Sequence, residues 1–218
     1  MEHTRRTLLA GIAAGGVVGA AGCLGDEGPD SSDTGPYDCE LEEPMTPDAE
    51  FRAVIGDPDA DVVVRAFEDF TCGHCATYKL DHFPTIREEY VDPGTVRYEH
   101  WDFPIPVDDD WAHAVASAAR GVGVREGDEA FFAFASTIYE SHGSYDLESI
   151  GAAAEAAGDD PCAAMADAYH ESAHGALEAD REEGVARGVG GTPTVFVDGT
   201  QTESYEAETV AAAIDDAL

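Results

Sequence analysis

The stretch Phe67-Glu68-Asp69-Phe70-Thr71-Cys72-Gly73-His74-Cys75 decides the reading of this chain. An apolar run, Val62-Val63-Val64-Arg65-Ala66-Phe67, leads into it and reads as a buried strand. Beyond it Tyr78, Leu80, Phe83, Ile86 and Tyr90 recur at roughly helical spacing, so the two cysteines fall at a strand-to-helix junction, on the first turn of a helix over 72–90. Residues three apart on a helix share a face, and cysteines one turn apart can reach disulfide geometry. The unpaired N–H groups and positive dipole end of a helix favour a thiolate there. An imidazolium at His74 pushes the same way. Cys72, nearer the loop, is expected to be the exposed, low-pKa nucleophile, with Cys75 behind it as the resolving thiol.

Two other uses of a Cys-x-x-Cys weigh against this one. Zinc needs a second pair of ligands at comparable spacing, whereas Cys23, Cys39 and Cys162 are scattered singly. His170 and His174, four apart on a predicted helix, could complete such a site only if the fold brought them near. A purely structural bridge across so short a loop constrains little of the unfolded chain. A Cys-x-x-Cys beside a βαβ pattern is itself a redox signature, and the dithiol reading implies no metal and no organic cofactor.

With those residues in view, everything after residue 50 resembles the DsbA-like branch of the thioredoxin superfamily. The resemblance rests on Gly56-Asp57-Pro58-Asp59-Ala60, the strand with Phe67-Glu68-Asp69-Phe70, the Cys-x-x-Cys helix, and Gly94-Thr95-Val96-Arg97-Tyr98. About 120 residues after the cysteines it resumes at Gly188-Val189-Gly190-Gly191-Thr192-Pro193-Thr194-Val195-Phe196-Val197-Asp198-Gly199, which is similar to that family's closing cis-proline segment. It implies an α/β chain of thioredoxin fold, a central mixed β-sheet flanked by helices, with an all-helical insertion over about 104–188. It also implies that Thr192 and Pro193 lie opposite Cys72 and seat a substrate strand. The activity implied is protein thiol–disulfide exchange, with a membrane quinone-coupled oxidase to recycle the pair. The dipeptide Gly73-His74 is similar to that of protein disulfide isomerase rather than to the Pro-His of bacterial DsbA, which leaves oxidase, isomerase and reductase open. Ala66 stands where thioredoxin and some relatives keep a buried proton-relaying acid, so that base is expected to be missing.

The 218 residues carry 46 Asp plus Glu against 11 Lys plus Arg, a formal charge of −35, and Lys79 is the only lysine. The acids run through the whole sequence, and a 44% hydrophobic content is too high for a disordered acidic chain. Such charge repels itself in ordinary salt but is screened within about 3 Å at molar salt. The composition is that of an extreme halophile, and it argues against nucleic acid as a partner.

Residues 1–22 read as an export signal. Thr4-Arg5-Arg6-Thr7-Leu8-Leu9 is a twin-arginine pattern, followed by an uncharged Gly/Ala/Val/Leu run too short and glycine-rich for a membrane span. It ends in Ala20-Ala21-Gly22-Cys23, which resembles a lipobox with Cys23 as the lipidated residue; the alternative is an uncleaved N-terminal anchor. Either places the body outside the cytoplasm, tethered to the membrane surface, where its partners would be thiols and disulfides of exported proteins. Residues 23–48 have the composition of an acidic, flexible linker, and 49–218 form the domain. Setting Cys23 aside leaves four cysteines, so Cys39 and Cys162 would form a second pair beside Cys72 and Cys75; the alternative is two thiols. If the cysteine pair were instead a metal carrier, it would use Cys72, Cys75 and a histidine.

Within the domain, 51–55 reads as an edge strand and Thr95 to Trp101 as a strand parallel to the one before the cysteines. Residues 111–122, 129–141, 146–157 and 161–188 read as helices, 194–197 and 201–204 as a closing hairpin, and 206–218 as the last helix. Phe131, Phe132, Phe134 and Tyr139 are read as core between insertion and sheet, not as a peptide groove, and His100 as a satisfied core or rim residue.

Overall fold

The computed structural model describes residues 28–45, 50–105 and 107–218. The twin-arginine pattern and Cys23 lie outside the described residues. Five strands form one mixed sheet in the order β1-β3-β2-β4-β5: β1 (Val54–Gly56), β2 (Val62–Glu68), β3 (Val96–Asp102), β4 (Thr194–Val197) and β5 (Thr200–Gln201). β2 and β3 run parallel in a register that sets Ala66 beside His100 and Glu68 beside Asp102, while the other pairings are antiparallel. Gly56 ends β1 at φ +88°, where a Cβ would sit 2.1 Å from the Val96 carbonyl oxygen, so only glycine lets the edge strand close onto β3.

The helix after the cysteines is interrupted. It comprises α1 (Gly73–Thr77), a π-turn (Tyr78–His82), α2 (Phe83–Ile86) and a second π-turn (Arg87–Val91). Pro84 has no N–H to give to the preceding turn, and the helix widens just ahead of it. The widening turns Lys79 inward, where its side chain is fully buried.

The insertion is helical as expected: α3 (Asp109–Glu126), α4 (Asp128–Tyr139), α5 (Leu147–Ala157), α6 (Pro161–Tyr169) and α7 (His174–Ala186), before α8 (Ala207–Ala217) closes the chain. Asp108, Asp146 and Asp160 cap α3, α5 and α6 with their carboxylates, Asp146 in a reciprocal box with Ser149. The stretch 161–188 forms two helices separated by a turn at which Glu171 takes φ 45° and Ser172 Oγ donates to Asp167. Period-2 alternation divides the sheet into two buried faces. Val62, Val64, Ala66, Val96 and Tyr98 join the main core with Phe131, Phe132, Phe134 and Tyr139, while Phe67, Trp101, Phe103, Val189 and Phe196 fill a smaller core behind.

Residues 28–45 fall within the stretch expected to be an acidic, flexible linker. This segment lies on the helical insertion, held by three kinds of contact. Cys39 and Cys162 are joined by a disulfide with Cα atoms 5.3 Å apart. Tyr37 packs against the core and its hydroxyl donates to Glu155 at 3.2 Å. His170 Nε2 meets the Leu41 carbonyl at 2.9 Å. The acidic composition hid the few apolar residues, Tyr37 and Leu41, that have a surface to cover.

Candidate active site

Cys72 is the N-cap of α1 rather than part of its first turn, with extended φ −84° and ψ 118°. Its carbonyl accepts from the Cys75 and Ala76 N–H groups at 2.9 and 3.1 Å, which folds Cys75 back beneath it. Neither sulfur is widely open: Cys72 is 6% exposed, contrary to the expected exposed nucleophile, and Cys75 is fully buried. Three carbonyls of the preceding loop are each held from the helical insertion: Asp69 by the Tyr139 hydroxyl, Phe70 by that of Tyr145 at 2.6 Å, and Thr71 by His142 Nε2 at 3.0 Å. Asp69 knits the loop from within. One of its carboxylate oxygens accepts from the Thr71 N–H and hydroxyl, the other from the Ile105 N–H.

The peptide between Thr192 and Pro193 is cis, and it brings the Thr192 carbonyl to 3.3 Å from Cys72 Sγ, which donates to it when protonated. The Thr192 hydroxyl is buried with no partner recorded among the described residues. The two cysteines are pushed in opposite directions. A hydrogen bond from the Cys75 thiol, then the influence of the nearby Thr192 and the backbone N–H groups of Cys75 and His74, pull Cys72 down to about 5 against the effect of burial. Burial, the bond to Cys72 and the charge of Glu68 drive Cys75 well above its ordinary range. Cys75 Sγ in turn accepts a long contact from the Asp69 N–H at 3.4 Å.

His74 was expected to favour the Cys72 thiolate through its imidazolium. Its imidazole Nδ1 lies 2.9 Å from the Tyr205 hydroxyl, and it reaches Cys72 through its backbone N–H. His170 and His174 are not brought to the dithiol; His174 stacks on His113 with ring centres 4.4 Å apart. Among the described residues no group of three or more His, Cys, Asp or Glu is placed to hold a metal ion.

Beneath Cys75 lies a buried carboxylate after all. Glu68, two residues after Ala66 and therefore on the same face of β2, is 1% exposed. One oxygen accepts from Lys79 Nζ at 2.9 Å and stands 3.3 Å from His100 Nδ1; the other is buried without a partner. Burial pushes the Glu68 carboxyl up, but Lys79 and His100 outweigh it and hold the group below the usual carboxylate range. His100 was read as a satisfied core residue, and it is one, but its partners are charged. The alternation through Ala66, Glu68 and through Tyr98, His100, Asp102 was the signal that could have found this cluster.

A family model described as thioredoxin matches residues 49–216. The chain is 34% identical over 88 residues to the probable disulfide bond formation protein D of Bacillus anthracis, a match covering 40% of this chain and 39% of that protein. The aligned part thus spans about two-fifths of that relative's length. Its fold is that of BdbD from Bacillus subtilis (TM-score 0.68, 20% identity, 79% of this chain and 95% of that one). It is equally that of the Chlamydia trachomatis DsbA (TM-score 0.68, 20% identity, 80% and 95%). With its folded body inside the family match, the chain belongs to the thioredoxin family, and its fold is that of these structures.

Proposed function

We propose that the chain is an extracytoplasmic thiol–disulfide oxidoreductase that oxidises cysteines of exported proteins through Cys72 and Cys75. One observation carries this reading: the two thiols are unequal, Cys72 drawn down to about 5 and Cys75 driven well above 9.0. A thiolate at Cys72 near neutral pH stabilises the reduced pair, which makes the disulfide form the stronger oxidant. A substrate thiolate attacks Cys72 Sγ, the Cys72–Cys75 bond breaks, and its electron pair leaves on Cys75, which takes up a proton. A second substrate thiolate then attacks the substrate sulfur of the mixed disulfide and releases Cys72 as a thiolate. The substrate loses two electrons and the cysteine pair gains them.

The Thr192 carbonyl, beside Cys72, offers an extended substrate strand a backbone acceptor, with Pro193 fixing its direction. A tether through Cys23 after twin-arginine export would hold the domain at the membrane surface, near a quinone-coupled partner that re-oxidises the pair. No helix among the described residues is long and apolar enough to cross a membrane. The reduction potential of the pair, measured at high salt, tests the direction of flow. A value near about −120 mV is expected of an oxidase, while one near about −270 mV means a reductase and refutes the proposed direction.

A further inference from the structure

Tyr205 belongs to the segment that closes the sheet, yet its hydroxyl reaches back 131 residues to the active-site helix, where it lies 2.9 Å from His74 Nδ1. That segment is fixed at several points. The Thr202 N–H donates to the Val195 carbonyl at 2.9 Å, on the strand that follows Pro193, and Ser204 Oγ donates to Thr209 Oγ1 at 2.9 Å on α8. The Ala207 N–H makes a longer contact, 3.4 Å, with His82 Nδ1. The phenol ring packs edge-on against the buried Tyr78, with centres 6.3 Å apart at 81°, and against His82 at 5.8 Å and 68°. Tyr205 is half-buried, whereas His74 is exposed. The phenol is therefore the fixed partner of this hydrogen bond, and the imidazole is the group it holds.

Which way the bond runs follows from the phenol. Burial and the charges of Glu206, Cys72 and Cys75 make its proton harder to remove than usual, so the hydroxyl is kept as a donor. Among the described residues it has no partner besides His74 Nδ1. A neutral imidazole that accepts at Nδ1 carries its own proton on Nε2. The backbone N–H of His74 meanwhile serves the Cys72 sulfur. We infer that Tyr205 is a positioning residue for the cysteine pair: its hydroxyl holds the His74 imidazole against the closing segment, in the Nε2–H form, so that His74 supports Cys72 by its backbone N–H alone. A released imidazole, two residues from Cys72 and exposed, would be free to bring its charge to the sulfur. The latch thus keeps the acidity of Cys72 independent of the charge on His74. Tyr205 acts through His74 and touches neither sulfur.

This inference deepens the exchange reaction proposed above, and its readouts require no exchange, so the two fail separately. The reduced full chain is labelled with nitrogen-15 histidine at molar salt, and the ring nitrogen shifts are read above neutral pH. His74→Ala assigns the His74 signals by their loss. Wild-type protein is expected to show the Nε2–H pattern at His74. Tyr205→Phe, which keeps the ring contacts and loses only the hydroxyl, should show a mixture of both tautomers. The second readout is the Cys72 midpoint, followed by thiolate absorbance. His74→Ala retains the backbone N–H and is expected to leave that midpoint near 5. Tyr205→Phe should strengthen the acid by up to about fivefold in its dissociation constant, the range of an exposed charge pair. Adding His74→Ala to Tyr205→Phe should restore the wild-type midpoint, a reversal that a merely structural loss would not give. An Nδ1–H pattern in wild-type protein, unchanged His74 signals in Tyr205→Phe, or a His74→Ala midpoint well above 5 overturns the latch and leaves the exchange reaction standing. Wild-type protein that exchanges no thiols with 2-mercaptoethanol refutes the proposed function, while the tautomer and the midpoint still decide the placement of His74.

Discussion

Replacing Cys75 by alanine tests what makes Cys72 acidic. The thiol of Cys75 is the largest influence holding Cys72 near 5, ahead of Thr192 and the backbone N–H groups of Cys75 and His74. A hydrogen bond to a charged group is worth about 1.5–3 kcal/mol, and each pKa unit corresponds to about 1.4 kcal/mol. Cys75→Ala should therefore lift Cys72 by about one to two units, from about 5 to about 6–7. Thiolate absorbance near 240 nm, or the rate of alkylation by iodoacetamide from pH 3 to pH 9 in molar salt, reads the midpoint directly. The sign of the wild-type effect follows from the same shift. A depressed thiol pKa stabilises the reduced fold fully above the ordinary value of 9.0, and that contribution drains away as pH falls toward 5. At pH 7 it amounts to at most about 2.7 kcal/mol, or about 60 mV, and solvent and salt at the sulfur trim it. A Cys75→Ala midpoint still near 5 would refute the reasoning and assign the acidity to the helix N–H groups.

The other predictions concern stability. Lys79→Met strands the Glu68 charge in the core and should cost about 3–5 kcal/mol in denaturant unfolding at high salt; adding Glu68→Gln should recover most of it, and additive losses would refute the pairing. Cys162→Ser opens a bridge between residues 123 apart. It should lower unfolding stability by up to about 4–5 kcal/mol and make residues 28–45 the first site of proteolysis. Equal protease resistance with and without the bridge would mean that the segment is held by other contacts.

Much of the fold was legible because periodicity survives a biased composition. β2 runs over the expected apolar stretch, and α3 and α5 of the insertion each begin at a capping aspartate and end at a glycine. What was illegible depended on contacts between distant segments. The clamp of Tyr139, His142 and Tyr145 on the loop before Cys72 joins residues about 70 apart, and nothing local marks them. The place of the His74 side chain was illegible for the same reason. Its neighbour in sequence is Cys72, but its partner in space is Tyr205, 131 residues away.

Glu68 shows how charge itself misleads. In a chain with 46 acidic residues, one more glutamate carries almost no information, and the position six residues before Cys72 is an alanine. The scarce residues are the informative ones. Among the described residues every lysine and arginine except Arg181 is paired with a carboxylate, and Arg181 holds the Pro104 carbonyl. The only lysine of the chain is completely buried, against Glu68. A surface of acids kept soluble by salt can spare its few cations for the interior, where an ion pair is weakly screened and a missing partner is costly. The position of a rare cation therefore points to a buried carboxylate better than the carboxylate does, and Lys79, seven residues after Cys72, points to Glu68.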